Sequence, residues 1–306
     1  MKWVISGGTG FIGTKLVESL RARKAPPSIV VFSRKSKPSN DPSLRFVAWT
    51  PEERGSWMDE INGADVVVHL AGAGVMDERW SASRVGVILS SRVKPAKLLS
   101  EAIVHAATKP SVFLSASAVG IYGMRKDDVI CTESTPPGDG VLANVCVDWE
   151  KAAHGAREAG VRVAHPRIGI VFGDGGALPQ LIAPYKAFVG GPVGDGRQWT
   201  SWVHWKDVVR AIEFAAENTA INGPFNMTAP HPVTMNELAK TIGEVLHRPS
   251  ALRVPAFALK AALGADRAEV LLTGQRVVPK VLEEAGFTFE FPELRAALEN
   301  LVGKSG

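Results

Sequence analysis

The sequence predicts an α/β fold, a doubly wound parallel sheet carrying a smaller C-terminal substrate lobe. Three observations predict it. Short apolar runs alternate with stretches of helical spacing from residue 2 onward. Several of those runs, such as Ser28-Ile-Val-Val-Phe32, are apolar throughout rather than at every second position, as in parallel strands covered on both faces. The first run ends in the glycine-spaced stretch Ser6-Gly-Gly-Thr-Gly-Phe-Ile-Gly13.

That opening stretch organises the rest. Lys2 to Ser6 read as a buried strand and Ile12 onward as a helix, with Gly7, Gly10 and Gly13 between or just inside them. A strand entering a helix must turn tightly at Gly7 and let the backbone reach a pyrophosphate at Gly10. It must then pack the helix closely at Gly13. The free N–H groups near Phe11 and Ile12, at the positive end of the helix dipole, complete an anion site. A glycine triplet in a chain with 30 glycines carries little alone. Between a strand and a helix it points to a Rossmann-type dinucleotide site, with a purely structural turn as the alternative.

The second strand ends in Ser33-Arg34-Lys35. About twenty residues past the glycines an acid would hold the ribose 2′-hydroxyl of NAD. A hydroxyl followed by two cations suits a 2′-phosphate instead, so the expected cofactor is NADP(H), bound through Ser33 and Arg34. Arg45 to Trp49 is a third strand and Asp65 to Gly72 a fourth. His69, inside that apolar run, reads as structural. A long helix follows over about 82–107, with Arg92 facing either the cofactor or solvent. A fifth strand covers Ser111 to Ser117, and a sixth is expected as one run from Val161 to Gly173. Asp207 reads as the cap of a later helix, Trp199, Trp202 and Trp205 as an aromatic wall or a packed interface, and Asn226 as a strand-end residue able to touch substrate. The expected division is a dinucleotide-binding domain over 1–175, receiving segments from about 200–230, and a substrate-side lobe over 176–306.

The glycine wording resembles the extended short-chain dehydrogenase/reductase superfamily, whose pattern T-G-x-x-G-x-x-G has Ser6 here in place of Thr. The resemblance extends to Leu70-Ala71-Gly72, similar to the turn beneath the cofactor, and to Ser117-Ala-Val-Gly-Ile-Tyr-Gly123, similar to the segment that carries the catalytic serine. It also covers Pro166-Arg167. On that basis Leu70, Ala71, Gly72, Arg92 and Arg167 are expected at the cofactor and Ser117 at the substrate, with Ser115 as its alternative. Trp149-Glu150, Gly190-Gly-Pro192 and Gly274-Gln-Arg276 resemble the "epimerase family protein" branch, which has its own C-terminal segment. The superfamily's Tyr and Lys at Y-x-x-x-K spacing are missing, because Cys146 and Glu150 occupy those positions. Tyr122 and Lys126 have the spacing but lie in a loop, where the match reads as coincidence. Tyr122 remains, with Ser117, as an expected hydrogen-bond donor.

Bulk properties bound the remaining classes. A formal net charge of +4 with scattered basic residues gives no support to nucleic-acid binding. Two cysteines without metal spacing suit a reducing compartment. With a strand expected from residue 2, no leader is expected, although a processed organellar protein would look the same, and no apolar run reaches membrane-spanning length. A cytoplasmic protein with a small-molecule substrate, no metal and an open oligomeric state is expected. The resulting reading is an NADP(H)-dependent oxidoreductase acting on a small polar carbonyl compound. A non-catalytic nucleotide-binding regulatory or scaffold protein is the alternative. Sugar-nucleotide epimerisation ranks last because it needs the tyrosine base.

Overall fold

The computed structural model describes residues 1–302. Among these, the central sheet has eight parallel strands, seven of them on its continuous path: β1 (Lys2–Ser6), β2 (Ser28–Ser33), β3 (Leu44–Ala48), β4 (Val66–His69), β5 (Val112–Ser115), β6 (Arg162–Ile168) and β7 (Gly223–Met227); the eighth, the two-residue strand Ser117–Ala118, pairs with β6 off that path. Their order is β3-β2-β1-β4-β5-β6-β7. Trp3 on β1 pairs with Ile29 on one side and Val66 on the other. The order reverses between β1 and β4, and ligands of such sheets bind beyond the strand ends at that point.

The continuous apolar runs have the expected cause. Trp3, Ile5, Val68 and Leu114 point to one face, while Val4, Val67 and Phe113 point to the other. Helix α1 (Phe11–Arg21) packs Leu16 and Leu20 on the first face; α2 (Ala82–His105) packs Leu99 and Ile103 on the second. Helix α3 (Val141–Ala152) lies against α2. Helix α4 (Trp205–Glu217) joins α1 over the first face with Val208 and Ile212.

The sixth run departs from the expected single strand. It breaks at Gly169, where a Cβ would collide with the Ser201 carbonyl oxygen. After the break Ile170–Phe172 leaves the main sheet and pairs with Trp202–His204. This diversion begins a separate cluster of Phe172, Trp202, Leu238, Ile242, Leu294 and Leu298. Helix α5 (Met235–Leu246) enters that cluster through a capping box, Thr234 with Glu237, and α8 (Leu294–Val302) closes it. Two short helices, α6 (Ala256–Leu263) and α7 (Ala265–Leu272), lie between them in sequence.

Asp207 is not a helix cap. His204 caps α4, its Nδ1 accepting from the Lys206 N–H at 3.1 Å. The buried Asp207 carboxylate accepts from the backbone N–H groups of Glu290 (2.7 Å) and Phe291 (2.9 Å), tying the C-terminal segment to the sheet domain. A partner more than eighty residues away left no local signal.

One substitution should act with opposite signs at two glycines. A Cβ on Gly13 would collide with the Gly7 carbonyl oxygen, so Gly13→Ala should destabilise by about 1–3 kcal/mol. Gly86 lies exposed within α2 with open space around its Cβ position, so Gly86→Ala should stabilise by about 0.5–1 kcal/mol. Urea unfolding of the two variants measures both.

Candidate functional site

The glycine turn is set directly on the turn after β4. Gly7 adopts φ +75°, and a Cβ there would lie 2.7 Å from the Ala71 backbone nitrogen. The first intrahelical bond of α1 runs from Thr14 N–H to the Gly10 carbonyl (2.8 Å), and its start carries neither a side-chain cap nor an acid. The N–H groups of Phe11 and Ile12 precede that bond and are therefore outside the helical ladder. The Phe11 ring is covered by the turn at Gly173 and Gly175, and Lys15 reaches Asp174 at 2.9 Å across the same turn. These features fit a dinucleotide pyrophosphate.

Ser33 and Arg34 end β2 on the same side. Ser33 is buried and donates its hydroxyl to the Lys35 carbonyl, so it shapes the turn and presents no hydroxyl outward. Arg34 is exposed on the wall of a hollow of about 220 Å³ shared with Trp49, Arg54 and Trp57. Arg54, which no local motif singles out, is a second cation at that hollow, although it also pairs with Glu101 at 3.0 Å.

His69 is structural. It lies fully buried, with Nδ1 2.6 Å from the Ser6 hydroxyl and Nε2 3.3 Å from the Arg92 carbonyl. Burial holds its pKa down at about 4, so it stays neutral. The Arg92 side chain turns inward over Gly72: a Cβ on that glycine would meet its Cζ at 3.1 Å. The guanidinium lies 5.2 Å from the Trp149 ring and donates to the Ile88 carbonyl at 3.0 Å. Among the described residues it has no carboxylate partner.

At the sheet's carboxyl end three strands bring Ser117, Arg167 and Asn226 into one row, Ser117 and Asn226 both pairing with Arg167. Arg167 grips Glu150 on α3 through Nε (2.9 Å) and Nη2 (3.0 Å) and donates from Nη1 to the Tyr122 hydroxyl at 3.0 Å. The assignment of Arg167 to the cofactor is thereby corrected: its donors are spent on a buried ion pair. Tyr122 is corrected too. It is buried, and its hydroxyl donates to Asn226 Oδ1 at 2.6 Å. Burial pushes its pKa up to about 12. Lys126 is apart from it, paired with Glu269 at 3.1 Å. Asn226, whose Nδ2 donates to the Val278 carbonyl at 2.9 Å, is likewise a fully buried connector.

Ser117 is placed less directly than expected. Its hydroxyl is buried beside both Cys146 and Glu150. The residue that reaches the adjoining cleft is Cys146, at the position of the superfamily tyrosine. Its thiol is pushed up to about 11, by burial first and by the Glu150 charge against it, so it keeps its proton at neutral pH. Its position one turn before Glu150, at the Y-x-x-x-K spacing, is the sequence signal that marks it. Burial raises Glu150, but the two-pronged Arg167 contact outweighs burial and leaves its carboxyl below the ordinary value. His165, hydrogen-bonded to the Ser115 carbonyl at 3.1 Å, is held by burial at about 4. Ser115 itself is buried within β5.

The cleft measures about 340 Å³. Ala118, Cys146, Trp149 and Ile168 line it, opposite Trp199, Ser201 and the α7 residues Val270 and Leu271. Of the three tryptophans only Trp199 takes part. Trp202 is buried on Phe172 (centroids 5.9 Å apart), and Trp205 packs under the Lys15 ammonium at 4.8 Å.

Sheet order, glycine turn and cleft define a nucleotide-binding α/β protein of the dehydrogenase/epimerase type. A family model described as the NAD dependent epimerase/dehydratase family matches residues 3–227, and a domain of unknown function (DUF1731) matches residues 254–301. The chain belongs to that epimerase/dehydratase family. It is 40% identical to the chloroplastic "Epimerase family protein SDR39U1 homolog" of Arabidopsis thaliana, covering 97% of this chain and 86% of that one. It is 38% identical to "Epimerase family protein SH2119" of Staphylococcus haemolyticus, over 98% of this chain and 99% of that one. The crystal structure of human epimerase family protein SDR39U1 (isoform 2) with NADPH superposes with a TM-score of 0.87, at 31% identity over 99% of both chains. Among the described residues no helix is long and apolar enough to cross a membrane.

Removing the Glu150 charge strands a buried guanidinium. Glu150→Gln should therefore cost about 3–5 kcal/mol of folding stability, and adding Arg167→Met should recover part of it. Because the folded pKa of Glu150 is lowered, its contribution is present above the ordinary value of 4.5 and is lost as pH falls through the folded value. Denaturant titrations between neutral pH and pH 3 should show that loss in the native protein and not in the double variant.

Proposed function

We propose that this protein is an NADP(H)-dependent reductase of a carbonyl compound bound in the cleft beside Cys146. The observation that carries the reading is the absence of a free base there, among the described residues, combined with a protonated donor. Glu150 is locked to Arg167, His165 is neutral and hydrogen-bonded, and Cys146 retains its proton. Oxidising or epimerising an alcohol needs a group that removes a hydroxyl proton. Reducing a carbonyl needs only a donor to the oxygen on which charge develops.

The residues divide the work accordingly. Gly7, Gly10 and Gly13 with the N–H groups of Phe11 and Ile12 hold the pyrophosphate, Leu70, Ala71 and Gly72 underlie the cofactor, and Arg34 takes the 2′-phosphate with Arg54 beside it. NADPH held there would supply hydride to a carbonyl carbon, becoming NADP⁺, and the protein's task would be to deliver the proton that completes the alcohol. Cys146 donates its proton to the carbonyl oxygen and is reprotonated from solvent entering the open cleft, while the Ser117 hydroxyl beside it hydrogen-bonds the sulfur. NADP(H) is supported by the human relative solved with NADPH and by Arg34 standing where an acid would select NAD. The regulatory reading has no observation of its own that favours it.

Arg34→Ala should weaken NADPH binding by about 1.5–3 kcal/mol and leave NADH binding nearly unchanged, as titration calorimetry would measure. Equal losses for both nucleotides would mean that Arg34 does not read the 2′-phosphate. For the chemistry, NADPH consumption is followed with a panel of activated ketones. Cys146→Ala should lower kcat by roughly 10²–10⁴-fold, and Ser117→Ala by less. Full kcat in both variants would refute the donor assignment.

A further inference from the structure

Every open wall of the cleft but one is uncharged. Val75, Met76, Leu142, Ile170, Trp199 and Leu271 form its apolar sides, and Arg92 is the one Lys, Arg, His, Asp or Glu side chain among the described residues lining it. A sugar nucleotide would bring a diphosphate and a ring of hydroxyls to such walls. Those groups would find a single cation and mostly hydrocarbon, an unfavourable exchange for water. An apolar ring finds what it needs.

Arg92 gives the anchor. Its guanidinium is largely withdrawn from solvent, held by the Ile88 carbonyl and the Trp149 ring, with no carboxylate to neutralise it among the described residues. A partly buried cation without a counter-charge favours an anionic ligand, and Arg suits a carboxylate through two parallel hydrogen bonds. Arg92 is also an electrostatic neighbour of the Cys146 thiol. Both residues line the same cleft, and the Trp149 ring against which Arg92 lies is one turn from Cys146 on α3, so a single ligand carrying an anion beside a carbonyl can reach both. Farther along the wall, Gln198 donates from Nε2 to the carbonyls of Val193 (3.2 Å) and Leu271 (2.8 Å), which leaves its buried Oε1 without a partner. A donor on the far side of a ring would satisfy it.

Resting on the reductase reading of this same cleft, we propose that the substrate is a bulky apolar 2-oxo acid: carboxylate on Arg92, keto oxygen at Cys146, ring along Trp199 toward Gln198. Hydride from the reduced cofactor adds to the keto carbon and a proton to its oxygen, giving the 2-hydroxy acid and NADP⁺.

The test separates binding from turnover. The NADP⁺-loaded protein, which cannot reduce a ketone, is titrated calorimetrically with phenylpyruvate, 4-hydroxyphenylpyruvate, the amide of phenylpyruvate, and UDP-glucose. The two acids should bind at least tenfold tighter than the amide, and UDP-glucose more weakly than either acid. Arg92→Ala should weaken the acids ten- to a hundredfold, the amide and NADPH less than threefold, while Arg92→Lys retains part of the acid binding. Matched thermal unfolding of the two variants establishes that they fold. If Arg92→Ala weakens NADPH as much as the acids, Arg92 serves the cofactor and the proposal fails. UDP-glucose binding tighter than the acids, or no preference for acid over amide, overturns it as well. Selective acid binding without NADPH consumption in the native holoprotein would sink the reductase reading and leave the ligand class standing.

Discussion

The buried pair of Arg167 and Glu150 is the constraint on which the site depends. It joins β6 to α3 and so fixes the distance of Cys146, one helical turn before Glu150, from the sheet. It also sets Tyr122, which hands the network to Asn226 and from there to the Val278 carbonyl. Glu133 Oε1 accepts from the N–H groups of Asn226 (2.8 Å) and Val281 (3.1 Å), adding the C-terminal segment to the same network. Apolar residues of similar volume would give equal or greater stability, because desolvating two charges offsets much of their attraction. What a hydrogen-bonded pair adds is direction: two parallel N–H···O contacts allow one approach of helix to strand.

The same pair explains why a superfamily site can lose its dyad and keep its shape. A lysine at position 150 beside Arg167 would place two cations together in a buried space. Glutamate turns that position into an anchor for Arg167 and removes the positive charge that would lower the pKa of a neighbouring acid. A tyrosine at position 146 would then lack the lysine one turn on and face the opposing Glu150 charge instead. The thiol found there fits the altered field, since burial and the Glu150 charge both hold its proton in place. The two replacements are thus coupled, and neither is intelligible alone.

What the sequence revealed followed from local rules. Strand spans, the glycine turn and the helix bearing Cys146 and Glu150 were legible because period, turn chemistry and spacing act over a few residues. The break of the sixth run was not, since Gly169 reads as an ordinary strand glycine until Ser201, over thirty residues on, occupies its Cβ space. Asp207, Tyr122 and Asn226 were misread for the same reason. Each is a polar group buried against a distant backbone or side-chain partner, and a polar residue near a strand end looks identical whether it meets substrate or the C-terminal segment. The apolar character of the cleft was hidden too, because its walls come from segments as far apart as Val75 and Leu271.

The chemistry left to such a cleft is limited by what its groups hold at neutral pH. A base must give up its proton before the reaction begins, and the thiol at Cys146, pushed up to about 11, keeps its proton at neutral pH. An acid faces the reverse requirement. The alkoxide formed when hydride reaches a carbonyl is far more basic than a thiolate, so a thiol at that value transfers its proton downhill. The feature that disables the site for removing protons therefore equips it for delivering them. The bias lies in the groups themselves: burial and the Glu150 charge set it.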